Sequence, residues 1–211
     1  MKNFLAVFLC LLICVSLCCC KGDKIDGNDA RQALECVFNK EQNFTYKSLV
    51  FDEITQENLT DFEFQTPSSA REVFIPHSYA YVDFDRDGVE ELFIVDARLS
   101  HFLILRYDGE RVNGYMVDDN VDLQNVKTDG TFLTVSYIFD DNFKIVGKDF
   151  YVCEVEFDGL EYRFNTLASQ NHEENIYKIG KQSATKDEVE AYINNWKNNT
   201  TQIELCTIKQ E

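Results

Sequence analysis

Basic residues are scarce in this sequence: 20 Lys and Arg stand against 37 Asp and Glu, a formal net charge of -17. So acidic a chain lacks the basic patch that would meet nucleic-acid phosphates, and it has little to offer an anionic lipid surface. Histidine is sparse too. His77, His101 and His172 lie far apart with no H-x-x-x-H pair, which argues against a histidine metal site. Neither a G-x-S-x-G elbow nor a P-loop occurs. No long internal repeat is visible, which removes solenoids and propellers.

Cysteine is unevenly spent. Beyond the first twenty residues only Cys36, Cys153 and Cys206 remain, an odd count with no C-x-x-C pair. That spacing argues against a cysteine zinc site and a disulfide framework; one disulfide could form in an oxidising exterior, and buried free thiols are the expectation.

What is present begins with the N-terminus, MKNFLAVFLCLLICVSLCCC. Lys2 is its one charge, and the apolar run from Phe4 to Leu17 has the length of a signal h-region but is short for a membrane span. Residues 1–20 therefore read as a signal peptide, 21–28 as a polar tether, and 29–211 as a single globular domain. A cysteine closing an h-region resembles a bacterial lipoprotein signal, with Cys20 the preferred lipidation site because polar sequence starts right after it. Cys18, preceded by Leu17, is the weaker candidate. An ordinary secretory signal and an uncleaved anchor are the alternatives, and all three export the protein. The expected place is the outer face of a membrane, held by a lipid anchor, or the medium if lipidation does not occur.

The whole chain is 45% hydrophobic and 13% aromatic, which is globular and not disordered. Asp29 with Gln32 suggests a helix start, followed by Ala30, Ala33, Leu34, Val37 and Phe38 at helical spacing. Residues 44–54 mix periods and fit either a strand or the edge of a second helix. Thr66-Pro67 suggests the start of a short helical turn. From Phe74 onward strands dominate, punctuated by Asp108-Gly109, Asp129-Gly130 and Asp158-Gly159 turns. Near the end Thr185 and Glu188 form a capping box ahead of a stripe of Val189, Tyr192, Ile193 and Trp196, and residues 203–208 read as a closing strand. The fold class expected is α+β: a curved antiparallel β-meander with an N-terminal and a C-terminal helix packed on it.

The stretch that carries chemistry is DFDRDGVEE, residues 83–91. Asp83, Asp85 and Asp87 occupy positions 1, 3 and 5 of D-x-D-x-D-G, Gly88 permits a sharp turn, and the Val89 carbonyl can serve at position 7. Calcium takes six to eight oxygens, and this spacing wraps the chain around one ion. An EF-hand would need a bidentate glutamate at position 12, where Ile94 stands, and helices on both sides. Glu91 at position 9 supplies the last carboxylate instead, immediately before a strand. This is the strand–loop–strand version of the site, as in FG-GAP-type repeats. The ion expected is a structural calcium, because a loop that devotes every position to wrapping leaves no open place for catalysis.

With YAYVDFDRDGVEELFIV, YDGERVNGY at 107–115, DGT at 129–131 and EAYINNWKN at 190–198, the sequence resembles uncharacterised exported lipoproteins of Gram-positive bacteria that carry a single D-x-D-x-D-G calcium loop. Two departures from their pattern stand in the loop: Arg86 replaces the usual Gly or Asn, and Glu90 the usual proline. The resemblance implies a calcium-stabilised, surface-tethered domain and brings no activity with it. Glu154, Glu156 and Glu161 read as a solvated strand face, and Tyr107, Tyr115, Tyr137 and Tyr151 as core or cross-strand partners, with a ligand groove as the sharper alternative. The function expected is a non-catalytic extracytoplasmic domain that binds an unknown surface ligand or protein. The alternative is an exported hydrolase using a carboxylate pair on the sheet.

Overall fold

The computed structural model describes residues 25–48, 50–65, 71–98, 101–117, 122–139, 144–171 and 175–209. The signal segment with Cys20, the Thr66-Pro67 turn and His172 lie outside these residues. Helix α1 (Gly27–Phe38) opens the described chain. Its N-cap is Asp26 and not Asp29: the Asp26 carboxylate accepts from the Asn28 N–H at 2.8 Å, while Asp29 sits inside the first turn, where its charge favours the helix dipole.

Strands β1 (Phe44–Lys47) and β2 (Ile54–Glu57) form a hairpin, which decides the mixed-period segment in favour of strand. The short pair β3 (Glu63–Phe64) and β4 (Glu72–Val73) follows. Then β5 (Pro76–Val82), β6 (Glu91–Asp96), β7 (Phe102–Tyr107) and β8 (Val112–Val117) run as an antiparallel meander. The chain then leaves this sheet and builds another from β9 (Asp122–Gln124), β10 (Phe132–Phe139), β11 (Ile145–Asp158), β12 (Glu161–Asn171), β13 (Ile176–Ile179) and β14 (Gln182–Ser183). Helix α2 (Lys186–Asn199) follows, with the expected Thr185–Glu188 capping box, and β15 (Cys206–Thr207) returns to pair with β5.

The α+β class is as expected, with two helices packed on antiparallel sheets. The meander, however, divides. One sheet has seven strands in the order β15-β5-β6-β7-β8-β1-β2 and the other six in the order β14-β13-β12-β11-β10-β9. One pairing, β1 with β8, is parallel.

Three hydrophobic clusters stack through the molecule. Leu34 and Val37 of α1 meet Leu92, Ile94, Leu103 and Leu105 on one face of the larger sheet. The opposite face contributes Val82, Phe93 and Ile104 to a second cluster, which the smaller sheet completes with Phe132, Cys153 and Val155. Val189, Ile193 and Trp196 of α2 close the third against Leu133, Val152 and Ala168. The order of layers is helix, sheet, sheet, helix. Every residue of β6 is buried, which explains why ELFIVD reads as a continuous run and not as alternation. The three cysteines are free; Cys153 is buried, Cys36 half-buried, and Cys206 is exposed on its edge strand, against the expectation of buried thiols.

Candidate functional site

The loop of residues 83–91 joins β5 to β6, two strands fixed in register from Val82↔Glu91 onward. Two left-handed residues, Arg86 at φ 60° and Gly88 at φ 89°, coil the backbone back on itself. The coil turns loop N–H groups toward the carboxylates. Phe84 donates to Glu91 Oε2 at 2.8 Å, Gly88 to Asp83 Oδ2 at 3.1 Å, Val89 to Asp87 Oδ1 at 2.8 Å and Asp87 to Asp85 Oδ1 at 3.3 Å. Phe84 is fully buried between the sheets, its ring 5.7 Å from Phe93 and 6.4 Å from Phe132. Burying such a ring contributes roughly 2–3 kcal/mol and pins the loop to the core.

Of the expected ligands, Asp83, Asp85 and Glu91 come together: one carboxylate oxygen of each lies within 4.8 Å of the others. Asp87 stands outside this close group, at the exposed rim, and Val89 faces the core with its side chain. Asp83 Oδ1 is buried and has no hydrogen-bond partner among the described residues. No histidine joins such a cluster among the described residues.

A residue without a local sequence signal completes the site. Arg106, at the end of β7, places Nη2 3.0 Å from Asp85 Oδ2 and 3.1 Å from Asp87 Oδ2, and Nε 3.4 Å from Glu91 Oε1. Its position follows from register. Leu92 pairs with Leu105, so the next pair along sets Arg106 across from Glu91. One guanidinium thus faces three carboxylates, with Asp83 close behind. That imbalance shows in proton affinity. Burial, then the charge of Asp85, pushes the Glu91 carboxyl up to about 9, and the Phe84 N–H and Arg106 only partly offset them. Burial also raises Asp85, again against the pull of Arg106.

The loop is tied to its surroundings on both sides. Arg86 Nε donates to the Asp129 carbonyl at 3.1 Å, and its Nη1 lies 3.3 Å from Glu154 on the smaller sheet. A strained arginine at a position suited to glycine is thus used for docking. Gly130 sits so close that a Cβ there would lie 2.4 Å from the Asp83 carbonyl oxygen and 2.7 Å from Phe84 Cα. Thr131, held by Asp129, accepts the Trp196 indole N–H at 2.8 Å, which carries the contact on to α2. On the other side Arg31 of α1 reaches Glu90 at 3.1 Å and covers the ring of Tyr81. Glu90 therefore links the loop to α1.

The remaining candidates are dispersed. Glu154 pairs with Arg86, Glu156 with Arg163 and Asn165, and Glu161 with Lys47. Arg163 first, then Asn165, holds the Glu156 carboxyl below its usual range. The four tyrosines divide among the three clusters: Tyr107 in the first, Tyr115 and Tyr151 in the second, Tyr137 in the third. An open groove of about 980 Å³ on the smaller sheet takes Tyr151 alone of these, with Glu154, Glu156, Arg163 and Lys178 along its walls. No protein-family model matches the chain, and neither curated proteins nor solved structures give a match.

Proposed function

We propose that this chain is a calcium-stabilised, extracytoplasmic lipoprotein domain, tethered to the outer membrane face through Cys20 and non-catalytic, that presents its surface to a protein or ligand outside the cell. The observation that carries the calcium part is Asp83 Oδ1, a buried carboxylate oxygen without a hydrogen-bond partner among the described residues, beside the oxygens of Asp85 and Glu91. Such an atom is costly unless a cation or donor meets it. Hard, oxygen-only donors at this spacing suit calcium better than magnesium, which keeps its waters, or zinc, which favours nitrogen and sulfur. The ion would supply two positive charges to four carboxylates that one guanidinium balances poorly.

The tether rests on the N-terminal sequence, an h-region that ends in cysteines and gives way at once to charge. Helix α1 starts at Gly27, and Ile25 just before it lies over Gly109, at the turn after β7. That contact lies at the end of the sheet that carries the acidic loop.

The test is thermal. Calcium at a hundredfold excess over its Kd should stabilise the domain by about 2.7 kcal/mol, and the Asp85→Asn, Asp87→Asn double variant should lose that gain. An identical Tm in EDTA and in millimolar calcium would sink the calcium reading. Radiolabelled palmitate incorporated into the wild-type chain and not into Cys20→Ser tests the anchor; equal labelling of the two would move the anchor elsewhere.

A further inference from the structure

The oxygens that Arg106 occupies are ones a cation would need. Its guanidinium holds Asp85 Oδ2, Asp87 Oδ2 and Glu91 Oε1, leaving the buried Asp83 Oδ1 without a partner among the described residues. Arg106 is itself half-buried, so its contacts are not washed out by solvent. In the same pose its guanidinium carbon lies 5.4 Å from the centre of the Phe157 ring, which helps hold it over the loop. A calcium ion drawing on the same carboxylates would stand within a few ångströms of this positive charge, and the two repel.

We propose that Arg106 is a tethered counter-ion that competes with calcium: it holds the loop's carboxylates together in the metal-free protein and keeps the affinity for the ion low. This rests on the calcium reading above. Coupling between the two cations is reciprocal, so the affinity that calcium loses to Arg106 is regained when Arg106 is removed. The device suits an exterior where calcium is plentiful. A domain of this kind needs only weak binding, and the loop remains paired when the ion leaves.

Calorimetric titration of the full chain with calcium chloride, paired with melting curves in EDTA and in saturating calcium, tests the proposal on wild type, Arg106→Gln and Arg106→Lys. Wild type is expected to bind in the range of extracellular modules, about 10⁻⁴ to 10⁻³ M. Arg106→Gln should bind about tenfold tighter or better. It should melt below wild type in EDTA, and the gap should narrow or close in saturating calcium. A gap that stays equal in both conditions, or a Kd that is unchanged or weaker, overturns the proposal and leaves Arg106 a structural or ligand-positioning residue. If Arg106→Gln does not fold, Arg106→Lys decides: a single ammonium cannot span three carboxylates, so its Kd should be tighter than that of wild type, and a weaker one overturns the idea. Failure of the calcium reading is distinguishable, because wild type itself would then give neither binding heat nor a change in Tm.

Discussion

Strand β6 begins and ends on a buried carboxylate, and the two ends behave in opposite ways. Glu91 at its start is 1% exposed and Asp96 at its finish 0%. Asp96 accepts from the Ile75 N–H at 2.7 Å, the Arg98 N–H at 2.9 Å and Arg98 Nε at 2.7 Å. Burial works against its charge, yet Arg98 and these backbone donors prevail and lower its proton affinity. Glu91 has one short backbone donor, a more distant guanidinium, and other carboxylates for neighbours, so burial wins and its proton affinity rises. Burial alone does not say what a carboxylate is for. The supply of donors separates them: Asp96 is met by a guanidinium and two backbone N–H groups, Glu91 by one backbone N–H and a guanidinium at 3.4 Å.

The strongest way to break this contrast is Asp96→Asn. It removes the charge that Arg98 and two backbone N–H groups address, and should cost about 3 kcal/mol in chemical denaturation, equally with and without calcium. A calcium-dependent loss would show that the two ends of β6 are not independent. Glu91→Gln should raise the stability of the EDTA-treated protein at neutral pH, because the amide does not need the proton that Glu91 has to take up on folding, and a loss there would show the carboxylate charged and paired. The same variant should abolish the rise in Tm with calcium, and a retained rise would remove Glu91 from the ligand set.

The pH profile of the metal-free protein separates the two ends again. Asp96 has a folded value below its ordinary 3.8, so its contribution is complete above that pH and is lost as pH falls through the folded value. Glu91 runs the other way. Its folded value near 9 lies above the ordinary 4.5, so the folded state keeps a proton that the unfolded state has released. Stability in EDTA should therefore drift down as pH rises between these two values, and Glu91→Gln should flatten the drift. A profile that the variant leaves unaltered would mean that Glu91 ionises normally.

The loop was legible in the sequence because D-x-D-x-D-G and Glu91 are local: their spacing alone dictates a coil with carboxylates inside. The capping box at Thr185 and Glu188 and the burial of Val189, Ile193 and Trp196 were legible for the same reason. Arg106 was not, since it lies on the next strand and reaches the loop through pairing register. The signal that could have found it is an arginine ending a buried apolar strand, one pair beyond the hairpin's Leu92↔Leu105 match. The division into two sheets was equally hidden. Asp-Gly turns look alike whether the strands they join lie in the larger sheet, as at Gly109, or in the smaller one, as at Gly159. Parallel pairing of β1 with β8 joins segments far apart in the chain and leaves no local trace.

The seat of Gly130 on the backbone of Asp83 and Phe84 has a consequence for the order of assembly. The hairpin of β5 and β6 closes over the eight residues 83–90 and can form early, since its ends are near in sequence. Its final shape waits for a turn some forty residues downstream, and for Trp196 still later, to arrive and lock against it. The shape of the acidic loop is thus a property of the finished tertiary structure, and a nascent chain that ends before residue 130 would carry the motif without the turn that seats it.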